Sequence, residues 1–167
     1  MSCPSPLIIA GIDPGSLKTG YAFLEMSGIA IRPAGFGVIS TAKYKSQPDK
    51  YLCIHEGLKE LLEKFHPAEG AVEDIFYHKN VRSAFILGQA RGVALLTLAM
   101  CSVEVYSYPP ALIKKAVAAY GRADKQQVLR MVKAILGLRE PVPVDASDAL
   151  AVALAHAQSA LYRRRSV

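Results

Sequence analysis

A chain of 167 residues, 51% of them hydrophobic, can bury a sizeable core but is too short for two halves flanking a cleft. Its 20 Lys and Arg against 14 Asp and Glu leave a formal +6 at pH 7, a balance that suits a polyanionic partner as well as it suits simple solubility. No apolar stretch reaches the length of a membrane span and the start, Met1-Ser2-Cys3-Pro4-Ser5-Pro6, lacks a charged secretion region; Cys3, Cys53 and Cys101 form no Cys-x-x-Cys pair. The expectation is a cytoplasmic protein with no membrane, disulfide framework or zinc site.

The apolar run Leu7-Ile8-Ile9-Ala10-Gly11-Ile12 reads as a buried strand that ends at Asp13, before Pro14-Gly15. Gly20 to Glu25 and Phe36 to Ile39 read as short strands completing a three-strand meander. Asp49 then opens a helix with Tyr51, Ile54, Leu58, Leu61, Leu62 and Phe65 at helical spacing, and Pro67 and Gly70 stop it. Ala71 to Phe76 is the next strand, a polar loop runs through Asn80, and a second long helix covers roughly Ser83 to Met100. The strand Val103 to Tyr108 ends at Pro109-Pro110. Helical pieces Lys114 to Tyr120 and Lys125 to Leu136 break at Gly121, and a last, alanine-rich helix starts near Asp145. This order predicts one α/β domain over residues 1–167, a five-stranded mixed sheet flanked by helices, with 1–6 and 163–167 as flexible ends.

Asp13, Glu73, Asp145 and Asp148 all stand at edges of core elements, where strand ends meet helix starts. Unpaired carboxylates gathered in a semi-buried cleft repel one another unless cations neutralise them, so the set points to a divalent-metal site. Each acid alone has a plainer account. Asp145 serves equally as an N-cap with Asp148 at N3, and Asp13 before Pro-Gly as a turn former. Glu73 is harder to explain away beside Val72, Ile75 and Phe76, although an Arg or Lys partner is an alternative. All-oxygen ligation favours Mg²⁺, with Mn²⁺ able to substitute. Two such ions roughly 4 Å apart support in-line displacement at phosphorus. No nucleophile elbow, Walker loop or dinucleotide fingerprint is present. Of the histidines, His55, His66 and His156 read as surface or packing residues, while His78 lies in the loop after Glu73.

The chain closely resembles the RuvC family of Holliday junction resolvases. The matching segments are Gly11-Ile12-Asp13-Pro14-Gly15 with Thr19-Gly20-Tyr21; Glu73 with Phe76; Asn80, Ser83 and Leu87-Gly88-Gln89-Ala90-Arg91-Gly92; Tyr108-Pro109-Pro110 through Lys114; Ala123-Asp124-Lys125 with Gln127-Val128; and Asp145-Ala146-Ser147-Asp148-Ala149-Leu150-Ala151. The resemblance implies an RNase H-like fold, a homodimer, and Mg²⁺-dependent paired nicking of a four-way DNA junction, with branch-migration proteins as further partners. It implies Asp13, Glu73, Asp145 and Asp148 as catalytic metal ligands, and Phe76 as an aromatic that stacks on an unpaired base; without the family, Phe76 is a core residue. Lys114 and Lys125 match basic positions at the DNA. Lys79, Arg82, Lys115 and Arg122 extend a phosphate-binding surface by their location near the matched segments, and Arg163-Arg164-Arg165 is read as a frayed basic tail. Ala119 departs from the family's usual glycine. Apolar residues on the Ser83 to Met100 helix exceed one sheet-facing stripe, as a dimer face or a fully buried helix requires.

Two other readings stand beside this one. A nuclease of the same fold acting on RNA or an RNA/DNA hybrid would carry similar acids, and a noncatalytic junction-binding module would hold them for structural reasons.

Overall fold

The computed structural model of the protein describes residues 5–74, 80–118, 121 and 123–165. The element order is β1 (Leu7–Asp13), β2 (Lys18–Ser27), β3 (Ala30–Ser40), α1 (Gln47–Phe65), β4 (Glu69–Glu73), α2 (Val81–Met100), β5 (Glu104–Tyr108), α3 (Pro110–Ala118), α4 (Lys125–Leu136) and α5 (Val144–Arg165). These strands form a five-stranded sheet ordered β3-β2-β1-β4-β5. The β1–β2–β3 meander is antiparallel, whereas β4 and β5 add parallel to β1, each after a helical crossover.

Several boundaries differ from the sequence reading, for local reasons. The meander strands are longer, because the edge strand β3 tolerates Pro33 beside a bulge: its register skips Ala34 between the partners of Phe23 and Leu24. Ser46, not Asp49, caps α1, its hydroxyl accepting from the Asp49 backbone N–H. Asn80 caps α2 in the same way, accepting from the Ser83 N–H. Asp124 and Gln127 form a reciprocal capping box on α4, and Gly137 ends that helix in the left-handed conformation.

The sheet separates two apolar layers. Ala10, Ile12, Phe23 and Val72 face α1 and α2, packing with Ile54, Leu58, Leu62, Ala94 and Leu98. Ile9, Ala22, Leu24, Met26 and Ala71 face α3, α4 and α5. Helix α5 is buried almost all round from Ala146 to Ala157, so its alanine content is a packing requirement. A Cβ at Gly11 would collide with the Ala149 carbonyl, and one at Gly20 with the Asp145 carbonyl. Glycine on the strands and alanine on the helix thus let α5 lie directly on β1 and β2.

Helix α2 corrects the expectation about apolar stretches. This 20-residue helix holds an 18-residue window of mean hydropathy 1.4, long and apolar enough to cross a membrane by length and composition, and 22% of that window is buried. The basic tail is also revised: α5 continues to Arg165, and Arg163 is anchored by Glu69 at 3.0 Å and by stacking over the Tyr106 ring.

Candidate active site

Alternation along the strands decides which acids meet. In β1 the Ile9 side chain turns to the α5 face, as a Cβ at Gly11 would, so Asp13, two further on, does too; in β4 Ala71 and Glu73 share that face. Parallel pairing sets Ile12 beside Val72, which brings Asp13 and Glu73 together at the end of the sheet. Asp148 enters from the second turn of α5. These three acids line one cleft of about 230 Å³ with Pro110, Ile113, Lys114, Lys125, Val128, Ala151 and Val152.

The electrostatics follow from this crowding. Burial first, then the charges of Glu73 and Asp148, push the Asp13 carboxyl up to about 8 from its ordinary 3.8, against a smaller opposing pull from Lys125. A side-chain hydrogen bond joins the two carboxyls, raising Asp13 and lowering Glu73. Glu73 is raised by burial as well, with the bond from Asp13 and the charges of Lys125 and Lys114 holding it down in part. Lys125 Nζ donates to Asp148 Oδ2 at 2.9 Å, and that bond raises the lysine above its ordinary value.

Asp145 lies just inside the first turn of α5, after Val144, and not at the N-cap position that the capping alternative requires. Its backbone rests on Gly20, the β2 partner of Asp13. Its charge also reaches Lys125. It lines the adjoining hollow with Gly15, Ser16, Leu17, Lys18, Ser83, Ile86 and Leu87.

Among the described residues, no three His, Cys, Asp or Glu side chains are closed around a point as ligands to a metal. Asp13 is bonded to Glu73, and Asp148 to Lys125. The donors are nonetheless of the right kind. Carboxylates from three elements, two of them raised by burial and then by neighbouring charge, are a set that a hard divalent cation would relieve.

The other expected residues divide. Lys114 is half-buried on the cleft wall, whereas Lys115 on α3 and Arg82 at the start of α2 are exposed and do not line the cleft. Phe76, Lys79, Arg122 and Ala119, like His78, lie outside the described residues. His55 pairs with Thr97 across α1 and α2 at 2.8 Å. His156 is fully buried, bonded to Glu69 at 2.6 Å and to the Tyr108 hydroxyl at 2.8 Å; burial lowers its pKa while the Glu69 carboxylate draws it back up.

Sequence reasoning missed the role of Arg91 beyond its place in a motif. From α2 its Nε donates to the Glu73 carbonyl at 3.1 Å, and Nη2 to Asp74 Oδ1 at 2.6 Å and to Ser107 Oγ at 2.7 Å. The available signal was an arginine in the middle of a mostly apolar helix. Lys18, which shares the hollow with Asp145, carried no such signal.

Comparison with known proteins agrees with this architecture. Residues 9–156 match the family model described as crossover junction endodeoxyribonuclease RuvC. The chain is 45% identical over 151 residues to the protein of that name from Chloroflexus aggregans, covering 90% of this chain and 92% of the relative. It is 42% identical over 160 residues to that of Halothermothrix orenii, covering 95% and 97%. Among solved structures, T. thermophilus RuvC in complex with a Holliday junction substrate superposes with a TM-score of 0.85 at 35% identity, covering 96% of each chain. The five-stranded mixed sheet and its flanking helices are the RNase H-like fold of these structures. This chain belongs to the RuvC family of crossover junction endodeoxyribonucleases.

Proposed function

We propose that this nuclease resolves four-way DNA junctions by paired symmetric nicks, working as a homodimer and with divalent metal at Asp13, Glu73, Asp145 and Asp148. The observation that carries the reading is the convergence of Asp13, Glu73 and Asp148 with Lys114 and Lys125 in one cleft. Acids alone would repel a phosphodiester, and lysines alone would bind it without chemistry. Together they suit a substrate whose phosphate is held by ammonium groups beside carboxylates that take up metal.

Mg²⁺ or Mn²⁺ bound there would activate water and stabilise the departing oxygen. The side chains supply the rest. Asp13 and Glu73 are fixed by adjacent strands, Asp145 and Asp148 by one helix, so the donor set is held by rigid elements. Lys125 keeps its charge through its bond to Asp148 and stays mostly exposed at the mouth, where a phosphate would pass. Lys114, Lys115 and Arg82 would extend the contact along the backbone, and Phe76, Lys79 and Arg122 enter this reading through the family alone.

A second copy docked on α2 would complete the symmetry of the substrate. Val81, Phe85, Leu96 and Met100 are exposed at intervals that put them on one stripe of that helix, and Gly92 lies on the same stripe with open space above it. An isologous contact there relates two clefts by a two-fold axis, which suits a nearly two-fold junction. Docking of branch-migration proteins rests on the family resemblance.

The test is incubation with a mobile four-way junction and Mg²⁺, scored for symmetric nicks against duplex, RNA and RNA/DNA hybrid controls. Symmetric nicks in the junction alone support the reading. Cleavage confined to RNA-containing substrates, or binding without cleavage in either Mg²⁺ or Mn²⁺, sinks it.

A further inference from the structure

We propose that Arg91 is a positioning residue for cleavage: from the opposite face of the sheet it locks the ends of β4 and β5 and so fixes where Glu73 presents its carboxylate. The inference rests on the reading of Glu73 as part of the cleavage site.

Strand alternation separates the two sides of this arrangement. Glu73 turns its carboxylate to the α5 face, while Ser107, in step with Val105, turns to the α1 and α2 face where Arg91 waits. One guanidinium meets three oxygens: the Glu73 carbonyl, the Asp74 carboxylate and the Ser107 hydroxyl, at 3.1, 2.6 and 2.7 Å. The planar fork makes this possible, because a lysine ammonium on its flexible stem has no matching in-plane geometry. The contact also falls where regular pairing gives out. Glu73 opposite Tyr108 is the last step of the β4–β5 ladder, and the Asp74 N–H bonds to the Tyr108 carbonyl at 2.9 Å. Arg91 adds a side-chain bond to the Glu73 carbonyl at this last step of the ladder, at the residue that carries the carboxylate.

The side chain of Arg91 is mostly buried, at 19% exposure, although it extends from the helix whose outer stripe is open. It also borders the small hollow formed by Asp13, Pro14, Glu73, Asp74 and Leu87. The placement of α2 is thereby tied to the geometry of the cleft. Any contact that shifts α2 along the sheet would act on Glu73 through this side chain as well as through the packing of Ala94 and Leu98 on Val72.

The experiment compares Arg91→Gln, Arg91→Lys and the double variant Asp74→Asn, Ser107→Ala with the parent. The double variant weakens the clamp without changing α2, which keeps the test decisive if Arg91→Gln folds poorly. Four readouts are taken: thermal unfolding, affinity for a synthetic four-way junction in Ca²⁺, single-turnover cleavage in Mg²⁺, and Mn²⁺ binding measured by loss of the free-ion EPR signal. Expected for Arg91→Gln are cleavage and Mn²⁺ affinity each reduced about 10–100-fold with junction affinity unchanged, the size seen when groups that orient metal ligands are removed. The double variant should shift in the same direction, and Arg91→Lys should recover part of the loss. Normal Mn²⁺ affinity with only a lowered unfolding temperature makes Arg91 a packing residue and overturns the inference. So does a loss confined to junction affinity, which would make it a DNA contact. Glu73→Gln run alongside separates the two claims: if it cuts normally the reading of Glu73 fails, and if it is inactive while Arg91→Gln behaves as the parent, only the inference fails.

Discussion

Lys125 Nζ stands 2.9 Å from Asp148 Oδ2, joining the first residue of α4 to the second turn of α5 across the mouth of the cleft. The lysine side chain is 71% exposed and its partner 21%, so solvent screens the pair and its contribution to stability is at most about 1 kcal/mol. The pair matters for chemistry because it holds a positive charge beside the buried acids, where it offsets part of the rise of the Asp13 and Glu73 carboxyls.

Lys125→Met should therefore separate chemistry from folding. Single-turnover cleavage of a four-way junction should fall about 100-fold, the usual scale for removing one charge aimed at a transition state. Unfolding free energy should change by less than about 1 kcal/mol. The slope of log affinity against log salt should drop by about 1, because one phosphate contact is lost. An unchanged cleavage rate would remove Lys125 from the site.

Asp13 makes stability depend on pH when divalent ions are chelated. Its carboxyl titrates at about 8 in the folded chain and near 3.8 when unfolded, so folding favours the protonated form. The contribution is fully present below 3.8 and is lost as pH rises through 8. In EDTA the parent should thus lose stability across that window, while Asp13→Asn, which stays neutral, should lose less. Added Mg²⁺ should restore the parent near neutral pH and leave the variant nearly unaffected. Chemical denaturation at several pH values measures both; parallel curves for the two proteins would refute the assignment of the raised pKa to Asp13. The same variant should no longer cut junctions, yet bind them as well as the parent or better.

These two sites show which features were legible in the residues. The strand ending in Asp13 and the acids of α5 could be read because an apolar run closing on a carboxylate is a local signal, and spacing of three on a helix puts Asp145 and Asp148 on one side. What periodicity could not supply was the pairing of distant strands. Nothing within residues 69–73 says that Glu73 will lie beside Asp13; that follows from β4 adding parallel to β1. The partners of Arg91 were hidden for the same reason, since they sit on β4 and β5 while the arginine is on α2. Element ends failed where caps ruled, as with Ser46, and where an edge strand admitted Pro33. The buried His156 was read as a surface or packing residue because both of its partners, Glu69 and Tyr108, are distant in sequence.

Gly20→Ala should damage fold and function together. The new methyl group would meet the Asp145 carbonyl, a backbone atom that cannot rotate aside, so α5 must lift from β2 at the turn that carries Asp145. Overpacking of this kind costs about 1–3 kcal/mol, and a backbone obstacle puts it near the upper end. Roughly 5–10 °C of unfolding temperature should be lost for a chain of this size. Cleavage should fall further than junction binding, because the displaced turn bears one of the four acids. Calorimetry and a cleavage assay at low temperature check the two effects separately. A variant as stable as the parent would show that α5 does not approach β2 this closely.

Gly92 offers the sharpest test of the dimer. It occupies mid-helix on α2 with open space above its Cα, where alanine would be better by about 0.5–1 kcal/mol. A glycine kept at such a cost, between Phe85 and Leu96 on one exposed stripe, suits the close approach of a second backbone. Gly92→Leu should therefore act in opposite directions. The isolated chain should gain stability through helix propensity, while the bulky side chain at the crossing should weaken self-association by about 1–3 kcal/mol, roughly a 5- to 150-fold rise in the dimer Kd. Sedimentation across a concentration series measures the second effect, and denaturation at high dilution the first. On a junction, the variant should still nick single strands but lose the coupling of the two cuts. Unaltered self-association would place the dimer contact elsewhere on the molecule, and failure of the parent to self-associate at any concentration would remove the dimer altogether.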